Sequence, residues 1–195
     1  MMKDRYANEV LSDQYLLKKN QIYIFGPIET GMAARVIPQM HFIEQKMIEE
    51  GLPEEERILT MLINSPGGSV HDGLAIYDTI NSLDCHVRTI CVGLAASMGA
   101  FLLCSGSKGM RLALPNSEIL IHQPLGGAQG QATDVAIRAE WLVKTKEKMI
   151  RMKAEMTGQP EEVIRRDVER DHFLSAQEAL EYGIIDEIFD PRQKK

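Results

Sequence analysis

The sequence predicts an α/β fold whose sheet is built mainly from parallel strands. Short apolar segments alternate with segments of helical periodicity along the 195 residues, and this alternation is typical of βαβ units. Residues 58–63 are almost continuously apolar, as in a parallel strand that is covered on both faces. No repeat, low-complexity tract or linker divides the chain. We therefore expect a single domain over residues 1–195, which begins with a polar extension or short helix over residues 1–20.

Five strands are predicted from apolar runs that stop at turn residues. Gly26-Pro27 closes the first strand, Pro66-Gly67-Gly68 follows the second, and Gly93 is expected to end the third. The predicted strands cover residues 21–25, 58–63, 86–92, 119–122 and 184–189.

The helical spacing of apolar residues predicts six helices between and after these strands. Pro38 lies inside the first helix and predicts a kink or a restart there. Thr133 or Asp134 is expected to cap the longest helix, and Ser175 and Glu178 have the spacing of a capping box. The predicted helices cover residues 31–50, a segment from Ser69, 97–104, 134–157, a segment from Pro160, and 175–183.

Composition and charge exclude several classes of protein. Lys and Arg number 22 and Asp and Glu number 28, which gives a net charge of −6. Such a chain is a poor candidate for general nucleic-acid binding or for an anionic membrane surface. No apolar run is long enough to cross a bilayer, and the N-terminus does not resemble a secretory signal. The three cysteines have no CxxC spacing, so we expect no metal site and a reducing, cytoplasmic location.

Two segments have the composition of a nucleophile and its anion-binding loop. Ser97 stands among small residues where a predicted strand passes into a helix, and unpaired N–H groups at such a point can hold an oxyanion. Taken alone, Ser97 is more simply an ordinary helix cap, because that is the commoner role of serine there. Gly67-Gly68 could present N–H groups to a ligand or form a simple strand-to-helix turn.

A histidine and an acid are further candidates. His122 follows the apolar residues 119–121, where it could act as a general base or as a hydrogen-bonded core histidine. Asp171 could orient an imidazole, but nothing in its local sequence selects it among the 28 acidic residues. Spacing along the chain does not show that Ser97, His122 and Asp171 meet.

Taken together, ordered motifs over about residues 58–190 resemble the ClpP family, the proteolytic subunits of the Clp protease. They include the run Asn64-Ser65-Pro66-Gly67-Gly68 and the run Ala95-Ala96-Ser97-Met98-Gly99-Ala100. Long motifs in a fixed order are far more specific than a single short one. The matching stretches are residues 63–70, 75–80, 89–93, 95–100, 113–117, 121–134, 171–176 and 181–186.

The resemblance implies a crotonase-like (ClpP-like) fold of repeated βαβ units and the activity of a serine endopeptidase. On this basis Ser97 is the nucleophile, His122 the general base and Asp171 the acid that orients it. The backbone N–H groups of Gly68 and Met98 would form the oxyanion hole.

The resemblance also implies an assembly of two stacked seven-membered rings that enclose the active sites. Residues 123–157 correspond to the protruding strand and helix that join the rings, which we call the handle. Its first part is expected to lie beside an unfolded substrate peptide, and comprises Gln123, Pro124, Leu125, Gly126 and Gly127. A hexameric AAA+ unfoldase would feed the chamber and use the ATP, so no cofactor is expected for this chain.

Two departures from the family concern unfoldase docking. The family usually has an aromatic residue where this chain has Leu62, and another near residues 81–83. We therefore hypothesise a divergent second paralogue that assembles with a conventional ClpP ring. Two alternatives remain: a ring subunit that does not cleave, and a crotonase-type acyl-CoA enzyme. The presence of Ser97, His122 and Asp171 disfavours both.

Overall fold

A computed structural model describes residues 15–193, and expectations for residues 1–14 lie outside the described part of the chain. One sheet of seven strands organises the described residues. The strands are β1 (Gln21–Phe25), β2 (Ile58–Ser65), β3 (His86–Ala96), β4 (Arg111–Ala113), β5 (Glu118–Ile121), β6 (His172–Ser175) and β7 (Glu187–Ile188). The helices are α1 (Thr30–Glu49), α2 (Val70–Ser82), α3 (Met98–Cys104), α4 (Ala132–Thr157), α5 (Glu161–Asp167) and α6 (Ala176–Tyr182).

The sheet is parallel except at one edge. Its main order is β1-β2-β3-β4-β7, with every neighbouring pair parallel. Strand β5 runs parallel to the last part of β3, and β6 pairs antiparallel with β5. The predicted α/β fold with parallel strands is therefore confirmed, and the helices cross between strands as βαβ units require.

Strand β3 continues past Gly93, so the prediction that Gly93 ends it is wrong. Gly93 has φ +99°, a conformation that glycine adopts without strain. Before this glycine β3 pairs with β4, and after it β3 pairs with β5 through Leu94–Ala96. The glycine thus lets one strand change partners, and it carries the chain three residues further, to the turn at Ser97.

Two helix predictions also differ from the structure. Helix α1 passes Pro38 without a break, so no restart occurs there. Helix α4 begins after Gln131, which makes no side-chain capping bond, and neither Thr133 nor Asp134 is its cap. Asp134 instead lies in the first turn, where a carboxylate is favourable beside the free N–H groups. The capping box of Ser175 and Glu178 is confirmed.

Two short strands, β4 and β6, were not predicted, and β7 is shorter than expected. β4 has three residues and begins with a charged residue, Arg111. β6 has only one buried residue, Leu174. Such strands lack the apolar run that signals a strand in a sequence. Of residues 184–189 only Glu187–Ile188 pairs as a strand, because Ile184 and Ile185 enter the core before it.

The core is one buried cluster that joins the sheet to the helices. All seven residues of α3 are buried, and Phe101 is among the largest fully buried side chains. Removing such a side chain from water stabilises a fold by roughly 1.5–3 kcal/mol. Met40 and Met47 on α1 belong to the same buried cluster. Helix α3 is thereby fixed in the interior, directly after Ser97.

The handle leaves this core. The buried residues of α4, which are Thr145, Met149, Ile150 and Lys153, all lie in its second half. Residues 132–144 contain no buried position, and residues 122–131 have no regular secondary structure. The expected handle strand is thus not formed in the single chain, because a strand needs a neighbour to pair with. No helix within residues 15–193 is long and apolar enough to cross a membrane.

Candidate active site

Ser97 occupies a strained turn between β3 and α3. Its backbone has φ +55° and ψ −116°, an uncommon conformation for a residue other than glycine. It holds the cap position of α3, yet its side chain makes no capping hydrogen bond. Its N–H donates to the carbonyl of Leu120 on β5 at 2.8 Å. The backbone is therefore held by the sheet, while the hydroxyl is not used for capping.

The loop after β2 packs directly against this turn. Gly67 has φ +88°, and a Cβ placed on it would lie 2.6 Å from Ser97 Cβ and 2.9 Å from Met98 N. Only glycine allows so close an approach. The Ser65 hydroxyl accepts a hydrogen bond from Gly67 N–H at 3.1 Å and donates to the carbonyl of Gly26 at 2.7 Å. These contacts fix the loop beside Ser97.

Gly68, the next residue, is exposed and has φ +151°. A Cβ there would collide with the backbone of Ile28, whose N would be 2.9 Å away. Ile28 donates to the Gly67 carbonyl and accepts from Ser69 N–H. This leaves the Gly68 N–H as an amide that neither of these backbone bonds uses. Met98, whose N lies at the close approach of Gly67, is the first residue of α3.

His122 and Asp171 are brought together by the pairing of β5 with β6. In that antiparallel pair Ile121 faces His172, so the next residues along each strand direction are His122 and Asp171. The His122 Nδ1 atom lies 3.2 Å from Asp171 Oδ1. An ionised carboxylate can only accept, so Nδ1–H is the donor. The imidazole is mostly buried at 13% exposure, whereas the carboxylate is 62% exposed.

Ser97 and His122 stand at the ends of adjacent parallel strands. Ala96 is the register partner of Leu120. Ser97 follows Ala96 by one position, and His122 follows Leu120 by two. Among residues 15–193 no hydrogen bond joins the Ser97 hydroxyl to His122. The structure thus brings His122 and Asp171 into contact and places Ser97 on the neighbouring strand end. Such bonds are often loose before substrate binds.

Contacts after β5 fix the chain that leaves His122. Gln123 N–H donates to the carbonyl of Val168 at 2.6 Å, and its side-chain amide donates to the carbonyl of Glu169 at 2.8 Å. Lys146 pairs with the Glu169 carboxylate at 2.7 Å, and hydrogen bonding from this ammonium lowers the pKa of Glu169. The segment that carries Asp171 is therefore tied to the segment that carries His122.

Two open grooves border these residues. One, of about 390 Å³, is lined by His122, Leu125, Asp171 and their neighbours. The larger, of about 490 Å³, is mostly apolar and lies between α4 and the glycine-rich segment. Within it the rings of His71 and Trp141 stack at 5.3 Å. The larger groove contains none of Ser97, His122 and Asp171. Its lining begins at Gly126, directly after Leu125 in the smaller groove.

Sequence reasoning missed one buried cation near the site. Lys153 on α4 is 8% exposed, and its Nζ donates to the carbonyl of His122 at 3.2 Å. Burial lowers the pKa of Lys153 to about 8, with a smaller opposite effect from Cys104. Helical spacing could have signalled it, since Lys153 follows the buried Met149 by four residues. No group of three or more potential metal ligands is clustered in residues 15–193.

A family model for the Clp protease matches residues 4–192 of the chain. The chain therefore belongs to the Clp protease family and is a ClpP-type peptidase. This confirms the resemblance drawn from residues 58–190 and extends it towards the N-terminus, to residue 4. Membership also implies, in general terms, a ring oligomer that works with an unfoldase.

Proposed function

We propose that the chain is a serine endopeptidase with Ser97 as nucleophile, His122 as general base and Asp171 as the orienting acid. One relationship carries the proposal. The strained backbone of Ser97 and the His122–Asp171 pair stand at the ends of two adjacent strands, β3 and β5. A nucleophile on a strained strand-to-helix turn is the arrangement by which α/β hydrolases expose a serine.

The chemistry proceeds in two halves. The Ser97 oxygen attacks the peptide carbonyl while His122 Nε2 accepts its proton, and the C–N bond breaks as the same proton passes to the leaving amine. Water then attacks the acyl-enzyme, with His122 again taking and returning the proton. Asp171 holds Nδ1–H, which keeps Nε2 free to accept and stabilises the imidazolium.

The oxyanion would be held by the N–H groups of Gly68 and Met98. Two observations support this: Met98 N lies at the close approach of Gly67 to the Ser97 turn, and Gly68 follows Gly67 directly. One such donor contributes about 10²–10³ in rate. No metal or cofactor has a part in this mechanism, and the ATP would be used by the partner unfoldase.

The substrate class is unfolded polypeptide, bound in extended form. An extended chain can pair with the segment 123–127, which lies outside the helices and strands of the described residues. The larger apolar groove beside them could receive substrate side chains.

The three cysteines form no disulfides, which supports a cytoplasmic location.

Assembly into two stacked seven-membered rings would cover the handle. Leu125 is 80% exposed, and Ile137 and Trp141 are also exposed on the handle. Apolar side chains clustered on one element indicate an interaction surface. The missing aromatic at Leu62 supports mixed rings with a conventional ClpP, which would supply the docking site for a AAA+ unfoldase.

A second candidate is a ring subunit whose own site is inactive until assembly. It is favoured by the lack of a hydrogen bond between the Ser97 hydroxyl and His122 within the described residues. The two candidates differ in whether the chain cleaves when no partner is present.

The test is hydrolysis of a fluorogenic peptide by the purified chain, alone and mixed with a conventional ClpP whose own catalytic serine is replaced by alanine. We expect His122→Ala to lower hydrolysis at least about 10³-fold, because it removes the general base. His86→Ala, which changes another partly exposed histidine at the start of β3, should have no effect. Equal activity of the His122→Ala variant would refute the proposal. Sedimentation showing only a monomer, alone and with partner, would refute the ring.

A further inference from the structure

Lys153 is a buried cation with no carboxylate partner among the described residues. Its ammonium makes one protein hydrogen bond, to the backbone carbonyl of His122. The surrounding cavity measures about 10 Å³, which is close to the minimum for one water molecule. Burying an amine without a counter-ion is costly. A chain that needed only packing here would be better served by an apolar side chain.

The bond reaches the proposed general base at its backbone. The His122 carbonyl lies where β5 ends and the chain enters the irregular segment 122–131. Asp171 restrains the imidazole from one side, but that carboxylate is largely exposed. The side-chain hydrogen bond of Gln123 restrains the residue after His122. Lys153 is therefore the buried restraint on His122 itself.

We propose that Lys153 is a positioning residue for the general base, and that its amine holds the His122 carbonyl so that the imidazole stays in reach of Ser97. This inference rests on the proposed serine-peptidase function. A charged donor makes a stronger hydrogen bond than a neutral amine. The restraint should therefore weaken when the ammonium loses its proton.

The Cys104 thiol, the Tyr182 phenol and the nearby carboxylate of Asp186 keep one charge state near neutral pH. Burial raises the pKa of the Cys104 thiol to about 11 and raises the pKa of the Tyr182 phenol. Asp186 stays ionised, since hydrogen bonds from Arg111 outweigh the effect of burial and hold its pKa at about 2. Lys153 is thus the group in this cavity that titrates near pH 8. The charged or titratable side chains facing it, directly or through a bonded neighbour, are His122, Cys104, Arg111, Tyr182, Asp167 and Asp186.

The test is the rate at which a fluorophosphonate labels Ser97, measured from about pH 6 to pH 10 on the full chain. We expect wild-type labelling to decline by about threefold or more through pH 8. Lys153→Met should label about tenfold more slowly at pH 7 and show no decline near pH 8, since misplaced groups cost 10–10² in rate. Lys148→Met, an exposed lysine on the same helix, should match the wild type.

A second variant keeps the test decisive if Lys153→Met does not fold. Lys153→Arg retains a charged donor that does not lose its proton, so it should keep most of the rate and lose the decline near pH 8. A decline that persists in Lys153→Arg overturns the proposal, as does a Lys153→Met profile equal to that of Lys148→Met. Labelling of wild type in either case leaves the peptidase function intact. No labelling of wild type at any pH, both alone and mixed with a conventional ClpP, refutes both.

Discussion

His122 Nδ1 lies 3.2 Å from Asp171 Oδ1 although 49 residues separate them along the chain. The contact follows from register, because Ile121 faces His172 in the antiparallel pair of β5 and β6. The remaining strands of the sheet pair in parallel. The one antiparallel edge is thus what places an acid beside the histidine.

Asp171→Asn should lower peptide hydrolysis about 10²-fold or more. The amide carries no charge to stabilise the imidazolium and can favour the tautomer whose Nε2 is protonated. The measurement is kcat/KM with a fluorogenic peptide, and Asp84→Asn, which alters another exposed aspartate, is the control. Equal losses in the two variants would count against a role for Asp171.

Gly67→Ala should lower the rate by about 10² while the protein remains folded. The added Cβ would press on Ser97 Cβ and Met98 N, and φ +88° is strained for alanine. The oxyanion donors and the nucleophile would therefore separate. Gly31→Ala is the control, since that helical glycine has open space and an ordinary φ, and it should stabilise by up to about 1 kcal/mol. Wild-type hydrolysis by Gly67→Ala would show that this contact does not set the site.

Arg111→Ala should destabilise the fold by about 3–5 kcal/mol, because it removes the main ionic partner of the mostly buried Asp186 carboxylate. Arg111 is 1% exposed, and its Nε and Nη2 donate to the two carboxylate oxygens of Asp186 at 2.8 and 2.6 Å. Its Nη1 also donates to the carbonyl of Met156 at the end of α4. Chemical denaturation at constant protein concentration measures the effect. Arg192→Ala, which removes an exposed arginine paired with Asp190, should leave stability nearly unchanged.

Lys153→Met should make the chain more stable at pH 7, even though it impairs catalysis. Burial lowers the pKa of Lys153 from 10.5 to about 8, so the unfolded chain binds the proton more tightly. The native state is penalised by about 3 kcal/mol below pH 8, and this penalty disappears as pH rises from 8 to 10.5. The stability difference between variant and wild type should shrink over the same range. A difference that does not change with pH would contradict this origin.

The sequence predicted the α/β class and most long elements because their apolar runs and helical periods are strong. It failed at Gly93 because a glycine that ends a strand and a glycine that lets a strand change partners look alike in one chain. The short strands β4 and β6 depend on neighbours that only the folded sheet supplies. Asp171 could not be selected for the same reason, since the pairing of β5 with β6 chooses it.

The site residues themselves came from the resemblance of ordered motifs, not from spacing. The local sequence did not decide whether Ser97 is a nucleophile or a helix cap. The structure adds that its hydroxyl makes no capping bond and that its φ is positive. Lys153 was missed because a lysine in an amphipathic helix is normally assigned to the solvent face.

The most direct test of the account is intact mass after incubation with a fluorophosphonate, with Ser97→Ala beside the wild type. Ser82→Ala, which alters an exposed serine at the end of α2, serves as control. We predict one adduct per chain in wild type and in Ser82→Ala, and none in Ser97→Ala, when the chain is alone or mixed with a conventional ClpP. An adduct that persists in Ser97→Ala, or wild-type chain that stays unmodified under both conditions, would contradict an activated Ser97.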